Sequence, residues 1–152
     1  MTTDWESSAV RVFGKSYPGV EYRPRPAAYA LIDRGDGKIA VMRVNDQAFL
    51  PGGGAEPGET WGDTVRREVR EEMGWAVHSL ELLARTTEFL QPTSVRSATR
   101  IEAIFVRAEL AELVADPVEE DHFLDWLEPA DAAEVLTHRS HAWIASELAA
   151  RQ

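Results

Sequence analysis

Three glutamates, Glu68, Glu71 and Glu72, form the pattern in this chain that most clearly indicates a catalytic or metal-binding site. At about 100° per residue of an α-helix, Glu72 and Glu71 lie about 40° and about 300° around the axis from Glu68, so the carboxylates share one sector. Carboxylates this close raise one another's pKa unless a cation lies among them, and hard oxygen ligands suit Mg²⁺ or Mn²⁺. Glutamates on a helix more often form a solvated face paired with arginines. The surrounding residues must therefore decide between a divalent-cation site and a solvated face.

An amphipathic helix is predicted to carry these glutamates. Apolar residues recur at every fourth position, at Trp61, Val65, Val69 and Met73. Thr60 is the expected N-cap with Asp63 three residues later, and Gly74 is the expected stop. The same geometry turns Arg66 and Arg70 towards solvent, so the three carboxylates flank the edge that packs on the core.

The segment from Gly53 to Trp75 resembles the Nudix box. The family pattern sets a glycine, a glutamate, an arginine, three glutamates and a final glycine at fixed spacings, filled here by Gly53, Glu59, Arg67, Glu68, Glu71, Glu72 and Gly74. At average residue usage, a chance match of seven positions in a chain of this length has a probability on the order of 10⁻⁶. Trp75 departs from the pattern, because the family more often has an aliphatic residue there, and this difference concerns packing.

The resemblance implies a role for each of these residues. Glu68, Glu71 and Glu72 are implied to be metal ligands and catalytic residues, with the Gly52 carbonyl completing the set around Mg²⁺, for which Mn²⁺ is a substitute. Glu59 and Arg67 are implied to form a structural pair that braces the loop against the helix. Gly53 and Gly74 are implied to support the site, since glycine lets backbone approach a ligand closely.

The general base of the reaction varies within the family. It is a glutamate of the box or a glutamate in a later loop, and we choose Glu120 from the acidic run of Glu119, Glu120 and Asp121. An acidic, solvated turn after Pro117 is an equal interpretation of that run. Glu102 is a further candidate ligand.

The resemblance implies metal-assisted attack of water on phosphorus within a diphosphate linkage of a nucleoside diphosphate joined to a further group. A nucleoside triphosphate, oxidised bases included, is the expected small-molecule substrate. ADP-ribose or another nucleoside-diphosphate sugar is the alternative, and a non-catalytic, nucleotide-sensing Nudix module is another. Arg43 is a candidate phosphate contact, and Phe49 is a candidate platform for the base.

The remaining elements predict a mixed sheet with helices packed against it, and the resemblance makes this a Nudix α/β/α sandwich, of class α/β or α+β. Residues 27–32 and 39–44 are expected to pair as a β-hairpin. Further strands are expected around 79–90, 95–108 and 123–127, and a last helix at roughly 141–150. The four histidines are expected to be surface groups. No linker divides the chain, so residues 1–152 are expected to form one domain.

Composition excludes several other functions. With 26 acidic and 16 basic residues among 152, the formal charge is −10, the wrong sign for nonspecific binding to nucleic-acid duplexes or anionic membranes. The absence of cysteine excludes thiolate metal sites, cysteine nucleophiles and the cysteine that a Nudix-fold isomerase would need. No targeting or membrane-spanning segment is recognisable, so a cytoplasmic protein is expected. Homodimers are common in the family, but the sequence locates no interface.

Overall fold

The computed structural model describes residues 9–118 and 121–152. This part of the chain contains eight strands and three helices. They are β1 (Val10–Phe13), β2 (Tyr22–Leu31), β3 (Ile39–Val44), β4 (Gln47–Phe49), β5 (Gly52–Gly54), α1 (Trp61–Met73), β6 (Trp75–Phe89), β7 (Ala98–Leu113), β8 (His122–Leu127), α2 (Pro129–Val135) and α3 (Arg139–Ala150).

The strands form two sheets. The larger has the order β1-β6-β7-β2-β5, in which β1 and β6 run parallel, as do β2 and β7, while the other pairs are antiparallel. The smaller is antiparallel, in the order β4-β3-β8. The predicted mixed sheet is therefore confirmed.

The second half of strand β2, from Ala27 onwards, is buried on both faces and, with Ile32 directly after it, separates two hydrophobic clusters. Ala27, Tyr29 and Leu31 belong to one cluster, and the alternate residues Ala28, Ala30 and Ile32 belong to the other. Side chains of successive strand residues point to opposite faces, so the two clusters lie on opposite sides of the sheet. Helix α1 packs into the second cluster, and α2 and α3 pack into the first. This arrangement is the expected α/β/α sandwich.

The predicted hairpin between residues 27–32 and 39–44 is wrong in its pairing. Strand β2 joins β7 on one edge and β5 on the other, while β3 pairs with β4 and β8 in the other sheet. Only the turn between them is hairpin-like, with a bridge between Asp33 and Ile39 and a hydrogen bond from the Ala40 N–H to the Ile32 carbonyl. Because both edges of β2 are already occupied, the chain has to leave the larger sheet beyond this turn.

Strands β6 and β7 are both longer at the end away from their connecting loop than the sequence predicted. They form an antiparallel pair from Trp75 opposite Leu113 to Phe89 opposite Arg100, with register shifts near Trp75 and Leu82. Trp75 and the loop of residues 90–97 therefore lie at opposite ends of this pair. Within the described ranges, no helix is long and apolar enough to cross a membrane.

Candidate active site

Helix α1 begins and ends where the sequence predicted. Thr60 and Asp63 form a reciprocal capping box, with both side-chain-to-backbone hydrogen bonds at 3.1 Å. Gly74 ends the helix in the left-handed conformation at φ 79°, and its N–H donates to the Arg70 carbonyl. A Cβ at Gly74 would lie 2.1 Å from the Ala115 carbonyl oxygen, so glycine is required for both conformation and space.

The carboxylates of the box lie along the edge of α1 that meets the core. Val65 and Val69 are fully buried, and the side chains of Glu68, Glu71 and Glu72 are 13%, 33% and 5% exposed. A simple solvated face would leave all three largely in water. Because two of them are instead withdrawn from water, their charge has to be compensated within the protein or by a bound cation.

The glycine loop of β5 contacts this carboxylate face directly. The Gly52 N–H donates to Oε1 of Glu72 at 2.8 Å, and a Cβ at Gly53 would lie 2.7 Å from Oε1 of Glu68. Gly52 has φ 140°, and a Cβ there would approach the Ala28 carbonyl oxygen at 2.1 Å. The two glycines therefore allow the loop backbone to lie against both carboxylates.

Arg67 connects the loop with the helix. Its Nε and Nη2 donate to the two carboxylate oxygens of Glu59 at 2.7 and 3.0 Å, and Nη2 also donates to the Gly54 carbonyl at 3.1 Å. This is the bidentate geometry that makes arginine–carboxylate pairs strong. The structure thus brings Glu59 and Arg67 together as a bracing pair.

The same guanidinium also reaches the candidate metal ligands, a contact that the sequence analysis did not include. Nη1 of Arg67 donates to Glu68 at 2.9 Å and to Glu71 at 3.3 Å. The pKa of Arg67 is raised, mainly by its hydrogen bond to Glu59 and to a smaller extent by its hydrogen bond to Glu68. Arg67 therefore supplies positive charge inside the carboxylate cluster. The i,i+4 spacing of Arg67 and Glu71 was the available sequence signal.

The pKa of Glu59 is lowered to about 2. The main cause is the hydrogen bond from Arg67, followed by the hydrogen bond from the Glu56 N–H, and the Thr64 hydroxyl also contributes. Each of these donors favours the charged carboxylate. Glu59 is consequently ionised throughout the neutral range.

His122 also reaches this site, from β8. Its Nδ1 lies 3.4 Å from Oε2 of Glu72, so the buried carboxylate is bounded by Gly52 on one oxygen and by His122 on the other. Asp121 is exposed, and Glu119 and Glu120 lie outside the described residues. The choice of Glu120 as general base therefore stays a prediction.

The donors of the carboxylate face fit a hard divalent cation in chemical type. They are carboxylate oxygens next to a loop whose glycines leave room for close approach. Across residues 9–118 and 121–152, however, no three acidic or histidine side chains are gathered around one point ready to hold an ion. Arg67 engages Glu68 and Glu71, while the Gly52 N–H engages Glu72. A cation would therefore share these carboxylates with protein donors.

The candidate residues outside the box contact residues other than the three glutamates of the carboxylate face. Arg43 pairs with Asp125 at 3.1 Å, and Glu102 pairs with Arg100 at 3.2 Å. The ring of Phe49 packs against His138, with 5.2 Å between ring centroids.

The expectation that all four histidines are surface groups is wrong for His141, which is 1% exposed. Its Nδ1 accepts the Leu50 N–H at 3.1 Å, two residues before Gly52, and complete burial lowers its pKa well below 6.5. His141 is therefore neutral, and it holds the backbone of Leu50 just before the glycine loop. Its i,i+3 spacing to Ile144 on the apolar stripe of α3 was the signal in the sequence.

A second set of contacts holds α3, the helix that carries His141, in position. The carboxylate of Glu88, itself buried, accepts hydrogen bonds from the backbone N–H groups of Arg139 and Ser140 and from the Ser140 hydroxyl. A carboxylate at the N-terminus of a helix satisfies its unpaired donors and interacts favourably with the helix dipole. Thr137 is bonded to Ala48 through both its N–H and its hydroxyl, which ties the same region to β4.

Comparisons with known proteins agree with the fold and the motif. The family model described as NUDIX domain matches residues 23–149. A curated relative, the nucleoside triphosphatase NudI of Escherichia fergusonii, is 28% identical over 127 residues, covering 74% of this chain and 87% of that protein. A MutT Nudix hydrolase of Burkholderia pseudomallei has a similar structure, with a TM-score of 0.62 and 26% identity over 83% of this chain and 98% of that one. The MutT protein of Bacillus halodurans has a TM-score of 0.66 at 18% identity over 80% of both chains.

The fold and the box together define a Nudix-type α/β/α domain. This chain belongs to the Nudix family, because the family model matches well over half of its length. The family and the enzyme class predicted from the sequence, a nucleotide pyrophosphohydrolase, are thereby confirmed.

Proposed function

We propose that this protein is a Mg²⁺-dependent hydrolase that cleaves a diphosphate linkage of a nucleoside triphosphate. The observation that carries the proposal is the withdrawal of Glu68 and Glu72 from water on one face of α1, beside the glycine loop. The curated relative named a nucleoside triphosphatase supports this choice of substrate.

The residues assigned to the cation are Glu68, Glu71, Glu72 and the Gly52 carbonyl. When bound, a divalent ion lowers the pKa of water and neutralises negative charge on phosphate oxygens. Because positive charge is then concentrated at the carboxylate face, a chain of net charge −10 can accept a polyanionic substrate.

The protein's own contribution is to hold the carboxylates in place. Arg67 sets the side chains of Glu68 and Glu71, and the Gly52 N–H sets Glu72. Oriented ligands lose little conformational freedom when they bind an ion. Glu59 keeps Arg67 in position through its two hydrogen bonds.

The general base is assigned to Glu120 or to a glutamate of the box. Arg43 is assigned to the substrate phosphates and Phe49 to the base. For Arg43 this role requires that the guanidinium exchange or share its contact with Asp125. Mn²⁺ is proposed to replace Mg²⁺, because both are hard ions that oxygen ligands accept.

The test is release of pyrophosphate or phosphate from a panel of nucleoside triphosphates, oxidised nucleotides, ADP-ribose and nucleotide sugars, with Mg²⁺ or Mn²⁺. Glu71→Gln is expected to lose turnover by about 100-fold or more, since a ligand of the reacting complex is removed. Glu134→Gln, which alters an exposed glutamate on helix α2, is the matched control and is expected to keep full turnover.

Either of two results would overturn the proposal. Turnover confined to ADP-ribose or a nucleotide sugar would replace the substrate class. Binding of nucleotide without turnover, with either metal, would identify the protein as a nucleotide-sensing module and not as an enzyme.

A further inference from the structure

A cavity of about 510 Å³ lies on the side of the larger sheet that carries α3. It is bounded by the loop after β1, by the end of β6 and by the residues that lead into α3, among them Lys15, Glu88 and His138. Its volume is in the range of small-molecule sites. The Tyr17 N–H donates to the Tyr22 hydroxyl at 3.0 Å, so the loop that forms one wall of the cavity is tied to β2.

The larger sheet connects this cavity with the glycine loop of β5. Glu88, Ile101 and Arg25 lie opposite one another on β6, β7 and β2, so their side chains point to one face of the sheet. That face carries α3, because the Glu88 carboxylate accepts the Ser140 hydroxyl. Three strand spacings of about 4.8 Å separate β6 from β5, which is about 14 Å in total. An extended nucleoside triphosphate has a length of this order.

Arg25 lies on the path between the cavity and the glycine loop. A Cβ at Gly54 would lie 3.1 Å from Nε of Arg25 and 3.3 Å from its Nη2. The guanidinium is therefore next to the loop that adjoins the carboxylate face. Arginine in this place suits the phosphate chain of a bound nucleotide.

The acids around Arg25 have other partners or form no ion pair with it within the described ranges. Glu88, in the same row of the sheet, accepts three hydrogen bonds from the start of α3. Glu56, which follows the glycine loop, lies 3.8 Å from Arg67. Glu21, just before β2, is exposed. Arg25 is thus available to an anionic ligand.

The positive charge of Arg25 acts at both ends of this path. Burial raises the pKa of Tyr29 to about 12, and among the surrounding charges Arg25 lowers it while Glu72 raises it. Burial also lowers the pKa of His138, where Glu88 acts in the opposite direction and Arg25 lowers it further. Arg25 is therefore within electrostatic reach of the carboxylate face and of the cavity.

The side chains that bound the cavity are rich in hydrogen-bond donors. Lys15 and Arg139 are cationic, and neither forms an ion pair in the part of the chain that the structure describes. His138, as a neutral imidazole, adds one ring N–H. Its ring packs on Phe49, assigned above to the base, with 5.2 Å between centroids. Because the carboxylate of Glu88 is already engaged by α3, the ligand group that best fits these donors is an acceptor such as a ring carbonyl.

We propose that the nucleoside of the substrate occupies this cavity and that the protein prefers bases with a ring carbonyl where adenine has an amino group. His138, Lys15 and Arg139 donate to the base, and Arg25 binds the phosphate chain between the cavity and the glycine loop. An amino group in the same place sets a donor against donors, which weakens binding. The inference rests on the proposed function and specifies which bases its substrate carries.

The test compares inosine triphosphate with adenosine triphosphate, whose bases differ in a carbonyl against an amino group at one position. In the native protein with Mg²⁺, kcat/KM is expected to be higher for inosine triphosphate by about tenfold or more. His138→Ala and Lys15→Gln are each expected to reduce this ratio, mainly by raising KM for inosine triphosphate. The His138 side chain makes no hydrogen bond that caps α3, so the start of that helix is retained in the variant.

Arg25→Gln is expected to raise KM for both triphosphates by about tenfold or more and to leave their ratio and kcat nearly unchanged, because a contact to phosphate common to both is lost. Arg85→Gln is the matched control. It removes another exposed arginine of the same sheet, in β6 opposite Ile104, on the face that carries α1. It should have native KM and kcat.

Binding of inosine monophosphate and adenosine monophosphate, measured by calorimetry with Mg²⁺, separates this inference from the proposed function. Tighter binding of inosine monophosphate, weakened by His138→Ala and by Arg25→Gln, is expected whether or not triphosphates are hydrolysed. Absence of turnover would overturn the hydrolase, and the binding measurement would then decide the inference. Equal use of the two triphosphates, preference for adenosine triphosphate, or native kinetics in both variants would overturn the inference and leave the hydrolase in place.

Discussion

The N–H of Gly52 donates to Oε1 of Glu72 at 2.8 Å, although the two residues are twenty positions apart. This contact joins the end of the β4–β5 connection to the last turn of α1. Glu72 is 5% exposed, and a buried carboxylate needs such donors to remain charged. The loop backbone and the helix therefore form one unit.

Gly53→Ala should damage the site more than the fold. The new methyl group would lie 2.7 Å from Oε1 of Glu68, at the far end of a flexible side chain that can move away. We expect turnover to fall about 10- to 100-fold because a ligand is displaced, while the thermal midpoint stays within about 4 °C. Steady-state kinetics and thermal unfolding measure the two effects.

Gly62→Ala is the control for that substitution. Gly62 lies on α1, and an added Cβ there makes only an ordinary contact at 3.5 Å with Leu80. It should keep full turnover and gain about 0.5–1 kcal/mol of unfolding free energy, since alanine favours helix. Native turnover in Gly53→Ala would contradict the role given to the close approach.

Metal binding should depend on the carboxylate face even in the absence of substrate. Glu68→Gln and Glu72→Gln are each expected to weaken Mn²⁺ binding at least about tenfold, because a charged oxygen ligand is lost. Paramagnetic resonance of free Mn²⁺ measures the affinity directly. Glu134→Gln on α2 should bind Mn²⁺ as the native protein does, and equal affinity in all four proteins would remove these glutamates from the metal site.

The Glu59–Arg67 pair should stabilise the protein in a defined pH range. The pKa of Glu59 is lowered to about 2 from an ordinary 4.5, so its stabilising effect is complete above about pH 4.5 and is lost as the pH falls towards 2. The difference in unfolding free energy between the native protein and Glu59→Gln should therefore shrink over that interval. Urea unfolding at successive pH values checks this, and a constant difference would contradict it.

His141 should make the fold sensitive to acid at a higher pH than the Glu59–Arg67 pair does. Burial lowers its pKa well below 6.5, so below pH 6.5 the unfolded chain binds the proton more strongly than the native protein. Unfolding free energy should fall with decreasing pH, by up to about 1.4 kcal/mol per pH unit from this group.

His141→Asn tests this account, because asparagine retains an acceptor for the Leu50 N–H but does not titrate. Its unfolding free energy should depend less on pH between about 6.5 and 5 than that of the native protein. His78→Asn, at an exposed position, should leave the native slope unchanged. A native slope in His141→Asn would assign the effect to another group.

Helix α1 and the order of the side chains along it follow from the amino-acid sequence alone. Its capping residues, its four-residue apolar period and the common sector of Glu68, Glu71 and Glu72 are local properties, fixed by helical geometry within a few residues. The bracing pair of Glu59 and Arg67 was implied by the resemblance to the Nudix box and not by helical geometry, because Glu59 lies before the helix begins.

The pairing of the strands and the contacts of the carboxylates, in contrast, depend on the tertiary structure. The β2 and β3 segments have strand composition and a turn between them, yet they belong to different sheets because β7 and β5 occupy both edges of β2. The contacts of Gly52 and His122 with Glu72, and of His141 with Leu50, join residues far apart in the chain. Such contacts depend on how whole sheets and helices pack, and no local period in the sequence encodes that packing.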